Sequence, residues 1–283
     1  MPGVWWLHET RGSNVFLVEA GAALVIVDTG FASSAAGIVA EVARVAPGRA
    51  VTHVLLTHGH VDHTGAAAEL RERLGAQVVA GAGDCAIEDG RRVLRVAVGP
   101  SHRRRRLLGV AGRARRLPRR VLRLVLRLVR RRRGPSVAIP PAARTPTLEI
   151  DLALEGEREI VPGLLAVPVP GHTPGSYCYV LPERGVAFVG DLVISHRDGL
   201  ARSLAFANQD DGAYLEVLRR FAERAPGIGC AGHGPPVLGG FGELLRSLAA
   251  LPRRSMLDPT QVLRRMRRMR DFSRAVSQTR RRR

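Results

Sequence analysis

The chain has 283 residues, 45% of them apolar, and a formal net charge of +19 in which every basic residue is arginine. That apolar share supports a buried core and excludes a disordered basic tail protein. The 4% aromatic content argues against stacking platforms for single-stranded nucleic acid, and no run of 18 apolar residues exists to form a membrane-spanning helix.

Residues 14–20 and 23–28 read as two strands across a glycine turn. Residues 33–45 have helical composition and end before Pro47-Gly48. A β-branched run follows at 51–56, then a helix candidate at 65–74 and a strand at 77–80. An arginine-rich stretch interrupts the pattern. Strands resume at 164–169, 176–181 and 186–189, followed by a helix at 212–224 and a short strand at 228–231. Residues 259–276 have helical composition, and 279–283 form a solvated end. Strand pairs with helices between them point to an α/β or α+β class with a mixed sheet.

The charge is uneven. Residues 91–133 hold 18 arginines and no acid, and residues 246–283 hold 13 arginines against Asp258 and Asp271, which leaves −10 on the remainder. An acidic body with two basic appendages is therefore expected. Cys85, Cys178 and Cys230 lack metal spacing and read as small core residues of a reducing compartment. The start has no basic segment leading into an apolar stretch, so no secretory leader is expected and the protein is read as cytoplasmic.

The strongest chemical signal follows the 51–56 strand. His58, His60, Asp62 and His63 fall within six residues, in Thr57-His58-Gly59-His60-Val61-Asp62-His63. Imidazole nitrogen and carboxylate oxygen suit zinc and similar divalent ions. Four such groups exceed one open site and fall short of two, so more ligands are expected beside later turns. His172 in PGHTPGS, Asp191 in GD and His233 in GHG supply them. Five histidines and two aspartates can hold two metals with one carboxylate bridging.

These pieces, VDTG at 27–30, THGHVDHTG at 57–65, PGHTPGS at 170–176, GD at 190–191 and GHG at 232–234, resemble the metallo-β-lactamase superfamily in content and order. The resemblance covers about residues 3–245 apart from the arginine-rich insert. It implies a four-layer αββα sandwich, read over 1–250; the residues themselves make 91–133 an arginine-rich amphipathic helical insert and 251–283 a basic helix and tail. The resemblance implies one metal on His58, His60 and His172, a second on Asp62, His63 and His233, and Asp191 as the bridge. Asp28 resembles the aspartate that supports the metal loop.

The β-lactamases of the family carry cysteine or serine at the bridging position, so an aspartate there disfavours β-lactam hydrolysis. The full set resembles glyoxalase II, acyl-homoserine lactonases and tRNA 3′ processing nucleases. The resemblance implies hydrolysis by a hydroxide held between two metals, with Asp62 and Asp191 as the catalytic carboxylates. Zinc is the default, and iron or manganese suits the same ligands. An ester, thioester or lactone is the expected small-molecule acyl substrate. A phosphodiesterase or nuclease with the same metals is the alternative enzyme. A membrane- or nucleic-acid-binding protein with a structural metal is the non-enzymatic alternative. Tyr177, Tyr179 and Tyr214 are candidates for a general acid, although their patterns read as core. His53 reads as core, His8 and His102 as surface, His196 as a loop residue, and Arg197 and Arg202 as candidates for an anionic substrate group.

On a helical wheel, residues 119–131 separate completely into a broad apolar face and an arginine face, with Pro118 at the helix start. This helix reads as a lid over the pocket mouth, or as a surface helix on anionic lipid. Nucleic acid is a less favoured partner, because the body around the metals is acidic.

Overall fold

The computed structural model describes residues 1–95 and 148–252, apart from 204 and 206, and all of them fall in one unit of the chain. The amphipathic helix expected at 119–131, its membrane or lid role, the helical composition at 259–276 and His102 lie outside the described residues. Among the described residues no helix is long and apolar enough to cross a membrane.

In chain order the elements are β1 (Val4–Leu7), β2 (Val15–Ala20), β3 (Ala23–Val27), α1 (Ala35–Val45), β4 (His53–Leu55), α2 (Val61–Thr64), α3 (Ala67–Leu74), β5 (Gln77–Gly81), β6 (Cys85–Glu88) and β7 (Arg91–Leu94). They continue with β8 (Leu148–Glu149), β9 (Leu152–Leu154), β10 (Arg158–Val161), β11 (Leu164–Pro168), β12 (Tyr177–Leu181), β13 (Val186–Gly190), β14 (Val193–His196), β15 (Gly199–Arg202), α4 (Asp211–Ala222), β16 (Ile228–Ala231) and α5 (Phe241–Ala250). A six-stranded sheet has the order β1-β2-β3-β4-β5-β9, and a five-stranded sheet has the order β10-β11-β12-β13-β16. The first is antiparallel from β1 to β3 and parallel from β3 to β9. The second is antiparallel up to β13, which pairs parallel with β16.

Alternation within the strands builds the layers, because successive side chains point to opposite faces. In β2 and β3, Phe16, Val18, Val25 and Val27 join a core with Tyr177, Tyr179, Leu181, Val186 and Phe188 of the other sheet. Their neighbours Val15, Leu17, Leu24 and Ile26 pack with Ile38 and Val42 of α1 and Leu70 of α3. On the far side, Cys178, Val180, Ala187 and Val189 pack with Leu218 and Phe221 of α4 and Leu245 of α5. These three apolar layers separate helices, sheet, sheet and helices, which is the expected αββα sandwich.

Several boundaries differ from the sequence reading for local reasons. The helix expected at 65–74 starts at Ala67, because Gly65 passes between two elements. A side chain there would meet Phe31 Cα at 2.8 Å and Ala32 N at 2.6 Å. Residues 91–94, counted with the basic insert, are a strand whose Val93 and Leu94 are buried while Arg91 and Arg92 are exposed. The high local charge conceals that buried half of the strand. Helix α5 has Phe241, Leu245, Leu248 and Ala249 buried on one face. That spacing is legible in the sequence once the glycines before it are read as its entry.

Candidate metal centre

The seven candidate ligands converge at one end of the sandwich. Strands β4, β13 and β16 terminate there and lead into the loops carrying His58–His63, Asp191 and His233. The turn between β11 and β12 brings in His172. Parallel neighbours β3 and β4, and β13 and β16, end on the same side, which is where open sheets gather polar loops.

Two groups form. His58, His60, His172 and Asp191 each offer an atom within 4.8 Å of the others, and so do Asp62, His63 and His233. In the first, His60 Nδ1 lies 2.9 Å from His58 Nε2 and 3.1 Å from His172 Nε2. In the second, His233 Nε2 lies 3.4 Å from Asp62 Oδ2, and His63 Nε2 lies 3.9 Å from the same oxygen. Asp191 stands between them. Its Oδ2 is 3.4 Å from His172 Nε2, and its Oδ1 is 3.4 Å from both His63 Nε2 and His233 Nε2.

The 3.4 Å separations fit metal ligands. Nitrogen ligands about 2.0–2.1 Å from a tetrahedral zinc are separated by about 3.3–3.4 Å. His63 Nε2 and Asp191 Oδ1 are buried and make no hydrogen bond among the described residues. Nearly all buried polar atoms are satisfied in native proteins, so two such atoms facing one another call for a shared partner.

The backs of the rings are held. Asp28 Oδ2 accepts from His63 Nδ1 at 2.8 Å, and the same carboxylate accepts from Thr57 N and Thr57 Oγ1, each at 2.8 Å. Asn208 Oδ1 accepts from His172 Nδ1 at 3.0 Å, and Asn208 Nδ2 donates to Asp211 at 2.8 Å. The His63 and His172 rings therefore turn Nε2 inward, as second-nitrogen partners do for metal-binding histidines. Asn14 ties the last loop down: its Nδ2 donates to Ala231 O at 2.9 Å and Gly234 O at 2.6 Å, and its amide donates to Gly232 O at 2.7 Å.

Electrostatics favour a cation. Burial drives the His58 imidazole well below the usual histidine range, with His63 and His172 adding like charge. Burial likewise lowers His60 to about 4. Burial opposes the charge on His63, but Asp28, Asp62 and Asp191 overcome it and raise the group well above that range. His233 is raised in the same way, chiefly by Asp191 against burial. Burial works against ionised Asp62, yet His63 and His233 hold its carboxyl at about 2. The lowered basicity of His58 and His60 in one group and three carboxylates around the other make a site that selects positive charge.

Other candidates go elsewhere. Tyr179 donates to Leu56 O and Tyr214 to Leu192 O, holding buried backbone, and Tyr177 donates to Gly156 O in an exposed turn. Arg202 is not an anion-binding surface residue. It is 2% exposed and donates to the carbonyls of Leu248, Ala249, Leu251 and Pro252, capping the carboxyl end of α5. Arg197 is exposed. His53 begins β4, at the end of the strand away from the metal loop. His196 ends β14, opposite Gly199. The cysteines are free, with Cys178 and Cys230 buried and Cys85 half-buried. Asn14, Asp84 and Asn208 are not legible as site residues in the sequence, because ordinary polar residues far off in the chain carry no spacing signal.

The profile of the metallo-beta-lactamase superfamily matches residues 8–233. The protein YobT of Bacillus subtilis (strain 168) is 26% identical over 231 residues, covering 78% of this chain and 82% of its own. The thioesterase pkgB of Emericella nidulans is 24% identical over 232 residues, covering 81% of this chain but only 48% of the relative, so the chain spans about half of that protein's length. Among solved structures, TTHA1429 from Thermus thermophilus is 22% identical, with a TM-score of 0.53 over 87% of this chain and 79% of the other. TTHA1623, solved in a di-iron-bound form, is 25% identical, with a TM-score of 0.51 over 82% of this chain and 92% of the other. The chain belongs to the metallo-beta-lactamase superfamily.

Proposed function

We propose that the chain is a metal-dependent hydrolase with a dinuclear site. His58, His60 and His172 hold one ion, Asp62, His63 and His233 hold the other, and Asp191 serves both. The observation carrying this reading is the division of the Asp191 carboxylate, with Oδ2 toward His172 and Oδ1 toward His63 and His233, all at 3.4 Å. Bound divalent cations supply an acidified water and a Lewis acid for the substrate oxygen.

The residues divide the remaining work. His58, His63 and His172 are buried and close the rear of the site to solvent, while His60, Asp62, Asp191 and His233 stay partly exposed. Substrate therefore approaches from the side of the partly exposed four. Asp62, held ionised beside His233, orients the attacking water through its carboxylate. An ester, thioester or lactone is the proposed substrate class. Support comes from the thioesterase pkgB and from the 91-residue match, at 32% identity, to the atrochrysone carboxyl ACP thioesterase AgnL7 of Paecilomyces divaricatus. Zinc is the proposed metal on its preference for nitrogen and oxygen donors, and iron suits the same set.

The test is metal analysis with a substrate panel of thioesters, lactones and bis(p-nitrophenyl) phosphate on metal-loaded protein. Two equivalents and chelator-sensitive turnover of an acyl substrate are expected. Turnover of the phosphodiester alone would move the assignment to phosphodiesterases. Fewer than two equivalents with no turnover would overturn it.

A further inference from the structure

Asp84 is a buried aspartate outside the seven-ligand set, 7% exposed, in the turn between β5 and β6. Its Oδ2 accepts from the Gly59 amide at 2.8 Å and from Thr173 Oγ1 at 2.6 Å. Its Oδ1 accepts from the Gly175 amide at 2.8 Å. Gly59 separates His58 from His60, and Thr173 follows His172. One carboxylate thus joins the two loops that supply all three histidines of the first group. Charge-assisted bonds of this kind are among the stronger hydrogen bonds a protein makes.

The surrounding backbone is shaped to let Asp84 in. A Cβ at Gly175 would stand 2.5 Å from Asp84 N and 2.7 Å from its Cγ, and one at Gly83 would stand 2.6 Å from the Pro174 carbonyl. A side chain at Gly81 would collide with the Gly175 carbonyl. Three glycines, at 81, 83 and 175, therefore bring two backbone segments into direct contact around this carboxylate. The second group has its own tie in Asn14, whose hydrogen bonds go to the 231–234 loop.

We infer that Asp84 is a positioning residue that sets the His58–His60 spacing against His172, and so the affinity of the first metal position selectively. This rests on the dinuclear reading above. The chemistry is indirect: Asp84 bonds to the loops that carry the ligands and to none of the ligand nitrogens. Loss of such supporting partners typically weakens metal binding about 10–100-fold.

Asp84→Asn tests it, because the amide keeps the shape but sets an NH2 against an amide donor of Gly59 or Gly175. Zinc titration by calorimetry, with cobalt(II) absorption as a second readout, compares wild type and variant. The expected result is one equivalent weakened about 10–100-fold, the other unchanged, and an altered cobalt spectrum for the weakened position. Two equivalents at wild-type affinities in the folded variant would overturn the inference. Equal weakening of both would do the same, since it reports general destabilisation. If Asp84→Asn does not fold, Thr173→Val decides. It removes one bond to Asp84 and keeps both backbone bonds, so a smaller selective loss at the same position is expected, and no selective loss overturns the inference. Fewer than two equivalents in wild type would instead strike the dinuclear reading, which keeps the two failures apart.

Discussion

Asp28 stands directly behind His63, its Oδ2 2.8 Å from His63 Nδ1, with Asp28 itself in the left-handed region at φ 57°. Aspartate and asparagine are the side chains that tolerate this backbone most readily. The carboxylate that orients the ring also accepts both donors of Thr57, so the end of β3 and the start of the metal loop are one hydrogen-bonded unit.

Asp28→Asn keeps the backbone conformation and reverses one donor–acceptor match. Zinc affinity at the position shared by Asp62, His63 and His233 is expected to fall about 10–100-fold. Competition with a chelator measures it. Wild-type affinity in the variant would show that a neutral acceptor on His63 Nδ1 serves as well as the carboxylate.

Removing a ligand is more severe. Asp191→Ala and His60→Ala are each expected to abolish turnover, because either leaves an incomplete metal shell. Asp191→Ala is also expected to reduce metal content at both positions, since its two oxygens face both groups. Activity of the folded Asp191→Ala protein near wild type would refute the bridging role.

Metal uptake should release protons. Carboxylates raise His63 well above the usual histidine value and raise His233 as well, so metal competes with protons at both. His60, lowered to about 4, has none to give. Affinity is therefore expected to fall from pH 7 to 5, most at the His63 and His233 position. Calorimetry in buffers of different ionisation enthalpy counts the protons; zero release at pH 7 contradicts the prediction. Acid stability has the opposite contributor: His60 has a depressed folded pKa, so its contribution is complete above about pH 6.5 and lost as pH falls through about 4.

Gly232→Ala inserts a methyl 2.6 Å from His63 Cε1 and 2.8 Å from Asp191 Oδ1. Overpacking of this kind costs about 1–3 kcal/mol, and here the strain falls on two ligands. Zinc stoichiometry is expected to drop below two, whereas Gly239→Ala, with no atom within 4 Å, should bind normally. Unchanged stoichiometry in Gly232→Ala would indicate that the loop relaxes freely.

Arg202→Ala strips the α5 carbonyls of their buried donor. A loss of about 1–3 kcal/mol is expected, or a melting temperature lower by roughly 2–4 °C per kcal/mol. A thermal melt on the metal-loaded protein reads it, and an unchanged melt would mean that water replaces the guanidinium.

Much of the site is legible in the sequence because metal chemistry demands rare residue types at short spacing. His58, His60, Asp62 and His63 sit on one loop, and His172, Asp191 and His233 each stand beside a glycine after a strand. The central strands around them are equally legible, since burial on both faces leaves short continuous apolar runs bounded by turns. Short elements such as β6, β14 and β15 leave too few positions for a pattern. Arg202 misleads as an isolated letter, because whether an arginine meets solvent or a helix end depends on α5, which lies 39 residues on.

The amino-acid sequence by itself determined the candidate ligand types, their order and an α/β or α+β class with a mixed sheet, because these follow from local chemistry and periodicity; the layered sandwich followed from the family resemblance. Only the tertiary structure decided which groups support them. Asp28 reaches His63 across 35 residues, Asn208 reaches His172 across 36, and Asp84 reaches Gly175 across 91. Hydrogen bonds require contact in space, and contact between distant loops is set by how two sheets end at a common edge rather than by spacing along the chain.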